Sequence, residues 1–119
     1  MILLAEDEIL NRMLLERFVE KLGYNAICVE NGEEVIKQIT NQKFDLIIID
    51  ISMPIIDGIE AIEYIRTHET TNKATPITLL SGTYPNNFAE LQSKFNISEI
   101  IIKPFIIQDI KNCIENCFK

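Results

Sequence analysis

The sequence predicts an α/β fold, a doubly wound five-stranded parallel sheet with five helices, and three observations carry that expectation. Five short apolar runs recur along the chain, each four or five residues long and mostly continuous. Strands covered on both faces read this way. The segments between the runs place apolar residues at helical spacing. The two patterns alternate from one end to the other, and a succession of βα units implies right-handed crossovers and a parallel sheet between helices.

The runs fall at Ile2–Ala5, Ala26–Val29, Asp45–Ile49, Ile77–Leu80 and Glu99–Ile102. After the first, Leu10, Leu14, Phe18 and Leu22 recur at intervals of four and make the expected apolar face of a helix, with Gly23 as its stop. Val35, Ile36 and Ile39 make a second stripe, which Asn31 and Glu34 open in the manner of a capping box. Ile59, Ile62 and Ile65 make a third. Phe88, Leu91 and Phe95 make a fourth, opened by Pro85 and closed near Asn96, a residue that tolerates the left-handed conformation. Ile106, Ile110, Cys113, Ile114 and Cys117 make the fifth.

At 119 residues the chain fits one domain, expected over residues 1–119, and can bury a core without staples. Apolar residues are 47% and charged residues 24%, a globular composition. The 11 basic and 18 acidic residues leave a formal charge of −7. That balance argues against direct binding to nucleic acid or to a membrane through a basic face. No apolar run approaches the roughly 20 residues of a membrane span, and no signal-peptide pattern opens the sequence. Cys28, Cys113 and Cys117 have no metal-ligand or redox spacing and read as buried thiols, which suits a cytoplasmic location.

In open parallel sheets, ligands sit beyond the carboxyl ends of the strands. The first strand is followed by Glu6-Asp7-Glu8, the third by Asp50, the fourth by Ser81 and the fifth by Lys103-Pro104. Crowded carboxylates repel and raise one another's pKa unless a cation intervenes. Hard oxygen ligands favour Mg²⁺ or Mn²⁺. A cation, an ammonium and a hydroxyl together can hold a transferring phosphoryl group. Asp50 is then the natural nucleophile, forming an aspartyl phosphate. Glu8 is expected to favour the positive end of the first helix, Asp57 and Gly58 to start the third, and His68 to lie on the surface.

The stretches Leu3-Leu4-Ala5-Glu6-Asp7, Asp45 through Gly58, Leu80-Ser81-Gly82 and Ile102-Lys103-Pro104 resemble the four signature segments of response-regulator receiver domains of two-component signalling. The resemblance covers the whole chain in the right order. It implies a flavodoxin-like sheet with strand order 2-1-3-4-5 and a phosphorelay signalling domain that is not itself an enzyme. By that resemblance Asp50 is the phosphoacceptor. Asp7, Asp50 and the backbone carbonyl of Ser52 are metal ligands, and Glu6 reaches the metal through water. Ser81 donates to a phosphoryl oxygen and Lys103 pairs with it, placed by a Lys-Pro peptide that is usually cis. The implied partner is a sensor histidine kinase or a histidine phosphotransfer domain. The surface of the fourth helix, fifth strand and fifth helix is the responding face and the place for a weak homodimer. The segment Glu6 through Arg12 resembles receivers attached to hybrid kinases, although a stand-alone regulator is compatible with the same residues.

Three other readings compete. A haloacid-dehalogenase-type phosphatase places a second aspartate two residues after the nucleophile, where this chain has Ser52. A flavodoxin-like electron carrier needs a phosphate cradle after the first strand, where Glu6-Asp7-Glu8 would repel phosphate. A phosphorylation-independent, receiver-like scaffold would not need every reacting residue. Ser52 and Thr83, which flank the path of attacking water in this family, are small and uncharged, so slow to intermediate self-hydrolysis is expected. One position departs from the family: Ile100 stands where most receivers carry Tyr or Phe, three residues before the lysine. Tyr84, in the loop containing Gly82, is the candidate substitute.

Overall fold

The structure is a computed structural model and describes residues 1–118; Lys119, the last residue of the expected domain, lies outside them. The elements run β1 (Ile2–Ala5), α1 (Ile9–Lys21), β2 (Ala26–Val29), α2 (Gly32–Asn41), β3 (Leu46–Asp50), α3 (Gly58–Thr67), β4 (Ile77–Ser81), α4 (Phe88–Phe95), β5 (Glu99–Ile102) and α5 (Ile107–Cys117). The strands pair in parallel in the order β2-β1-β3-β4-β5. No helix among the described residues is long and apolar enough to cross a membrane.

Alternation along each strand divides the interior into two cores. Leu3, Ala5, Ile47, Ile49 and Leu79 pack against Val35 and Ile39 of α2, Ile62 and Ile65 of α3, and Phe88 and Phe95 of α4. Ile2, Leu4, Leu46, Ile48 and Leu80 pack against Leu15 and Val19 of α1 and Ile110 and Ile114 of α5. Both faces of the sheet are therefore covered, which is why the strands read as continuous apolar runs.

Local chemistry sets the helix ends. Asn31 accepts the Glu34 N–H at 2.9 Å, and Asp57 and Glu60 form a full capping box at the start of α3. Gly23 (φ 94°) and Asn96 (φ 53°) follow α1 and α4 in the left-handed conformation. Gly58 is required by packing as well, because a Cβ there would strike the Asp50 carbonyl and lie 2.8 Å from Ile51 Cα.

Several boundaries differ from expectation. β3 and β4 each end one residue later than the apolar runs, so Asp50 and Ser81 are the last residues of their strands. The run expected from Asp45 begins at Leu46, and Asp45 is exposed. α4 begins at Phe88; Pro85 precedes it by a turn and its carbonyl accepts the Phe88 N–H at 3.1 Å. Ile106 stands before α5 and is 62% exposed, with Asp109 accepting its N–H at 2.9 Å. The largest correction concerns α1. Leu10 is 71% exposed and Leu14 39%, while Leu15 and Val19 are fully buried and Phe18 and Leu22 half-buried. With 3.6 residues per turn, a strict spacing of four drifts about 40° per step. The series therefore crosses from solvent to core along the helix. Of the thiols, Cys113 is buried, but Cys28 and Cys117 are half-buried. Burial pushes Cys113 up to about 12; burial and the neighbouring Glu16 carboxylate do the same for Cys28.

One buried polar group closes the end of the domain remote from the strand tips. Asn72 is fully buried. Its Nδ2 donates to the carbonyls of Ile39 (2.7 Å) and Gln42 (2.6 Å), and its Oδ1 accepts the Phe44 N–H at 2.8 Å and the Thr75 hydroxyl at 3.1 Å. Replacing Asn72 with Ala strands those groups and is expected to cost about 2–3 kcal/mol. Urea unfolding checks this: the midpoint falls while the slope is unchanged.

Candidate functional site

Strand register brings the polar residues together. Ala5 lies opposite Ile49, so Glu6 leaves β1 level with Asp50. Asp50 lies opposite Leu80, and Ser81 lies opposite Ile102, so Lys103 follows one step beyond. Glu6, Asp50, Ser81 and Lys103 consequently meet at the carboxyl edge of the sheet. Glu6 is fully buried, Asp50 is 2% exposed and Ser81 8%, while Asp7 is exposed.

The Lys103 ammonium lies between two carboxylates. It donates to Asp50 Oδ2 and lies 2.7 Å from Glu6 Oε1. The other Asp50 oxygen accepts the Ser52 N–H at 3.0 Å, and Glu6 Oε2 accepts the Glu8 N–H at 3.0 Å. Burial pushes Glu6 above the usual carboxylate range, against the pull of Lys103 and the Glu8 N–H, and Asp50 adds to the rise. Burial alone would lower Lys103, but its hydrogen bond to Asp50, its ion pair with Glu6 and the charges of both carboxylates hold it above its ordinary value. Ser81 Oγ is turned into its own loop, donating to the Thr83 carbonyl at 2.5 Å and accepting the Thr83 N–H at 3.2 Å.

Oxygens of Glu6, Asp7 and Asp50 lie within 4.8 Å of one another. Glu6 Oε1 is buried and, although close to the ammonium, lacks a well-directed hydrogen bond. Three carboxylates beside one lysine leave an excess of negative charge, and an all-oxygen donor set of this kind fits a hard divalent cation. Ser52, the fourth expected ligand through its carbonyl, is an exposed residue on the loop that follows Asp50.

Other expectations resolve individually. Glu8 caps α1, accepting the Leu10 N–H at 2.9 Å. His68 is exposed and stacks on Tyr64. The Lys103–Pro104 peptide is cis. Ile100 is half-buried against the core beneath α2, α3 and α4. Tyr84 is 61% exposed, with its ring edge-on to Phe88 at 5.2 Å. Sequence reasoning missed Arg12, whose guanidinium reaches back to the carbonyls of Glu6 (3.0 Å) and Asp7 (3.2 Å) and pins the acidic loop. It also missed Ile55, a β-branched residue held at φ 71° and 71% exposed in the loop after Asp50. A third omission is a cleft of about 440 Å³ that reaches Asp50, Ser81 and Lys103 and is walled by Ile59, Pro85 and Leu91.

A parallel sheet in this order, with acids, a hydroxyl and a lysine at successive strand tips, defines a phosphoacceptor signalling domain. The chain belongs to the response regulator receiver domain family, whose model matches residues 2–115. It is 32% identical over 120 residues to hybrid signal transduction histidine kinase K of Dictyostelium discoideum, covering 96% of this chain and 10% of that protein. It is 30% identical over 118 residues to a Rhizobium etli protein described as a probable chemotaxis protein CheY, covering 98% of this chain and 91% of that one. The receiver domain of a Pseudomonas aeruginosa sensor histidine kinase, solved with a magnesium ion coordinated in its active site cleft, superposes with a TM-score of 0.87. It is 26% identical, covering 97% of this chain and 93% of that chain. The chain thus spans a tenth or less of the Dictyostelium kinases it matches. Receiver domains of this family pair with histidine kinases or phosphotransfer domains.

Proposed function

We propose that residues 1–119 form a receiver whose Asp50 takes a phosphoryl group from a phosphohistidine on a sensor kinase or phosphotransfer domain. The observation that carries this reading is the meeting of Asp50, Glu6, Asp7 and Lys103 at one sheet edge. A carboxylate oxygen of Asp50 bonds to phosphorus while the phosphorus–nitrogen bond breaks and the imidazole keeps the electron pair. The Ser52 N–H and Lys103 fix the carboxylate's orientation beforehand. Mg²⁺ or Mn²⁺, held by Asp7, Asp50 and the Ser52 carbonyl with Glu6 behind a water, would neutralise charge on the transferring group.

Lys103 then exchanges a carboxylate for a phosphoryl oxygen. Ser81 gives up its bond to the Thr83 carbonyl and donates to another. That exchange draws the Ser81–Tyr84 loop inward and alters the face made by α4, β5 and α5, the surface for a partner or a weak homodimer. Small, uncharged Ser52 and Thr83 offer attacking water no general base, which favours slow to intermediate self-hydrolysis of the aspartyl phosphate. The thiols and the partner class suit the cytoplasm. A phosphorylation-independent scaffold has no feature here in its favour.

Intact mass measurement with Mg²⁺ and acetyl phosphate tests the reading. The wild type is expected to gain one phosphoryl group, and Asp50→Asn or chelated protein none. An equal adduct on Asp50→Asn would refute it.

A further inference from the structure

The cleft beside Asp50 has more room and more apolar wall than a phosphoryl group needs. Its volume is about 440 Å³. Asp50, Ser81 and Lys103 contribute its reacting groups, and Ser52 and Thr83 also line it. Its apolar wall comes from Ile51, Ile59 of α3, Pro85 in the turn before α4, and Leu91 of α4. Ile51, Ile59 and Leu91 pack their inner sides against the core and remain half-buried, so each keeps an apolar surface toward the cleft. Asn87, at the head of α4, makes no side-chain cap bond, which leaves a free amide at the same wall. Phosphate alone makes no use of an apolar wall.

We propose that this cleft is a leaving-group subsite that favours acyl phosphates whose apolar acyl chain is longer than acetyl over acetyl phosphate itself. The proposal rests on Asp50 being the acceptor. An Asp50 carboxylate oxygen bonds to phosphorus, the bond from phosphorus to the acyl oxygen breaks, and the acyl carboxylate leaves with the electron pair. No proton donor is required, because a carboxylate is a stable leaving group. The acyl chain lies along Ile59, Pro85 and Leu91, and the Asn87 amide is positioned to donate to the acyl carbonyl. Chain burial that persists in the transition state raises kcat/KM.

Acetyl phosphate and butyryl phosphate discriminate well, since their leaving groups differ little in basicity. Time courses of intact mass at fixed Mg²⁺ give the second-order rate constant for each. Two further methylenes, half buried, are expected to favour butyryl phosphate about fourfold. Leu91→Gln should bring the ratio toward one, and so should the milder Ile59→Thr if Leu91→Gln does not fold. Met13→Ser on the exposed face of α1 should leave the ratio as in the wild type. Adduct formation with a ratio of one in the wild type overturns the subsite while leaving Asp50 as acceptor, and returns the cleft to water or a partner's side chain. Absence of an adduct from either donor overturns the acceptor assignment and the subsite together.

Discussion

Replacing Lys103 with methionine is expected to lower the stability of the metal-free protein by about 2–3 kcal/mol near neutral pH and to slow phosphorylation at least about a hundredfold. The ammonium is the one cationic group contacting both buried carboxylates among the described residues. Its removal leaves Glu6 and Asp50 uncompensated, a loss placed just below the usual range for a fully buried pair because the Lys103 side chain is 21% exposed.

The sign of the pH dependence follows from the two shifts. Glu6 is raised above its ordinary 4.5, so the folded protein holds that proton more tightly than the unfolded chain. This contribution is complete below 4.5 and is lost as pH rises through the raised folded value. Without Lys103 to pull it down, Glu6 rises further, and the variant shelters near pH 4.5 by keeping its proton. Lys103 is raised above 10.5, so its contribution is complete below that value and is lost as pH climbs through the folded one. The gap between wild type and variant should therefore be widest between these limits and close on both sides. Urea unfolding of chelated protein from acid to alkaline pH measures it, and a gap that stays constant would contradict this coupling.

Saturating Mg²⁺ is expected to raise the wild-type melting temperature by about 10 °C at a hundredfold excess over Kd. Asp7→Asn should change both states in opposite directions. It relieves repulsion among Glu6, Asp7 and Asp50, so the metal-free variant melts above the metal-free wild type. It also removes a ligand, so most of the Mg²⁺ increment disappears. Thermal melts with and without Mg²⁺ separate the two effects. An equal Mg²⁺ response in both proteins would show that Asp7 does not hold the cation.

The sequence reveals the site more fully than the fold's details because the site depends on a simple rule. A polar residue directly after an apolar strand lies at the sheet's carboxyl edge, and parallel register brings Glu6, Asp50, Ser81 and Lys103 to one place. Helix orientation follows no such rule. The spacing of Leu10, Leu14, Phe18 and Leu22 is compatible with more than one buried face, and only the packing of Leu15 and Val19 against β1 and β3 selects among them. Polar strand ends are equally hidden, since Asp50 and Ser81 belong to strands through pairing and not through hydropathy. Asn72 bonds to groups some thirty residues earlier, and Arg12 reaches back across a turn, so neither leaves a local pattern. The 440 Å³ cleft belongs to this class, because its wall is assembled from α3 and α4.

Ile100 was legible as a departure, but its consequence needed the fold. It packs into the core, and Tyr84 lies edge-on to Phe88 at the head of α4. On the proposed function, a phosphoryl-driven change is expected to travel through the Ser81–Tyr84 loop to α4, with no ring crossing the sheet edge. A Cβ placed on Gly82, within that loop, would meet no neighbouring atom within 4 Å, which leaves the loop room to move.

Phosphorylation on the Asp50 carboxylate is the central claim, and trapping the acyl phosphate tests it most directly. Borohydride reduces an aspartyl phosphate to homoserine, which marks the position permanently. After treatment with Mg²⁺ and acetyl phosphate, peptide sequencing is expected to find homoserine at position 50 and aspartate at positions 7 and 57. Homoserine at position 7 or 57, or at no position in protein that has gained phosphoryl mass, would contradict the assignment.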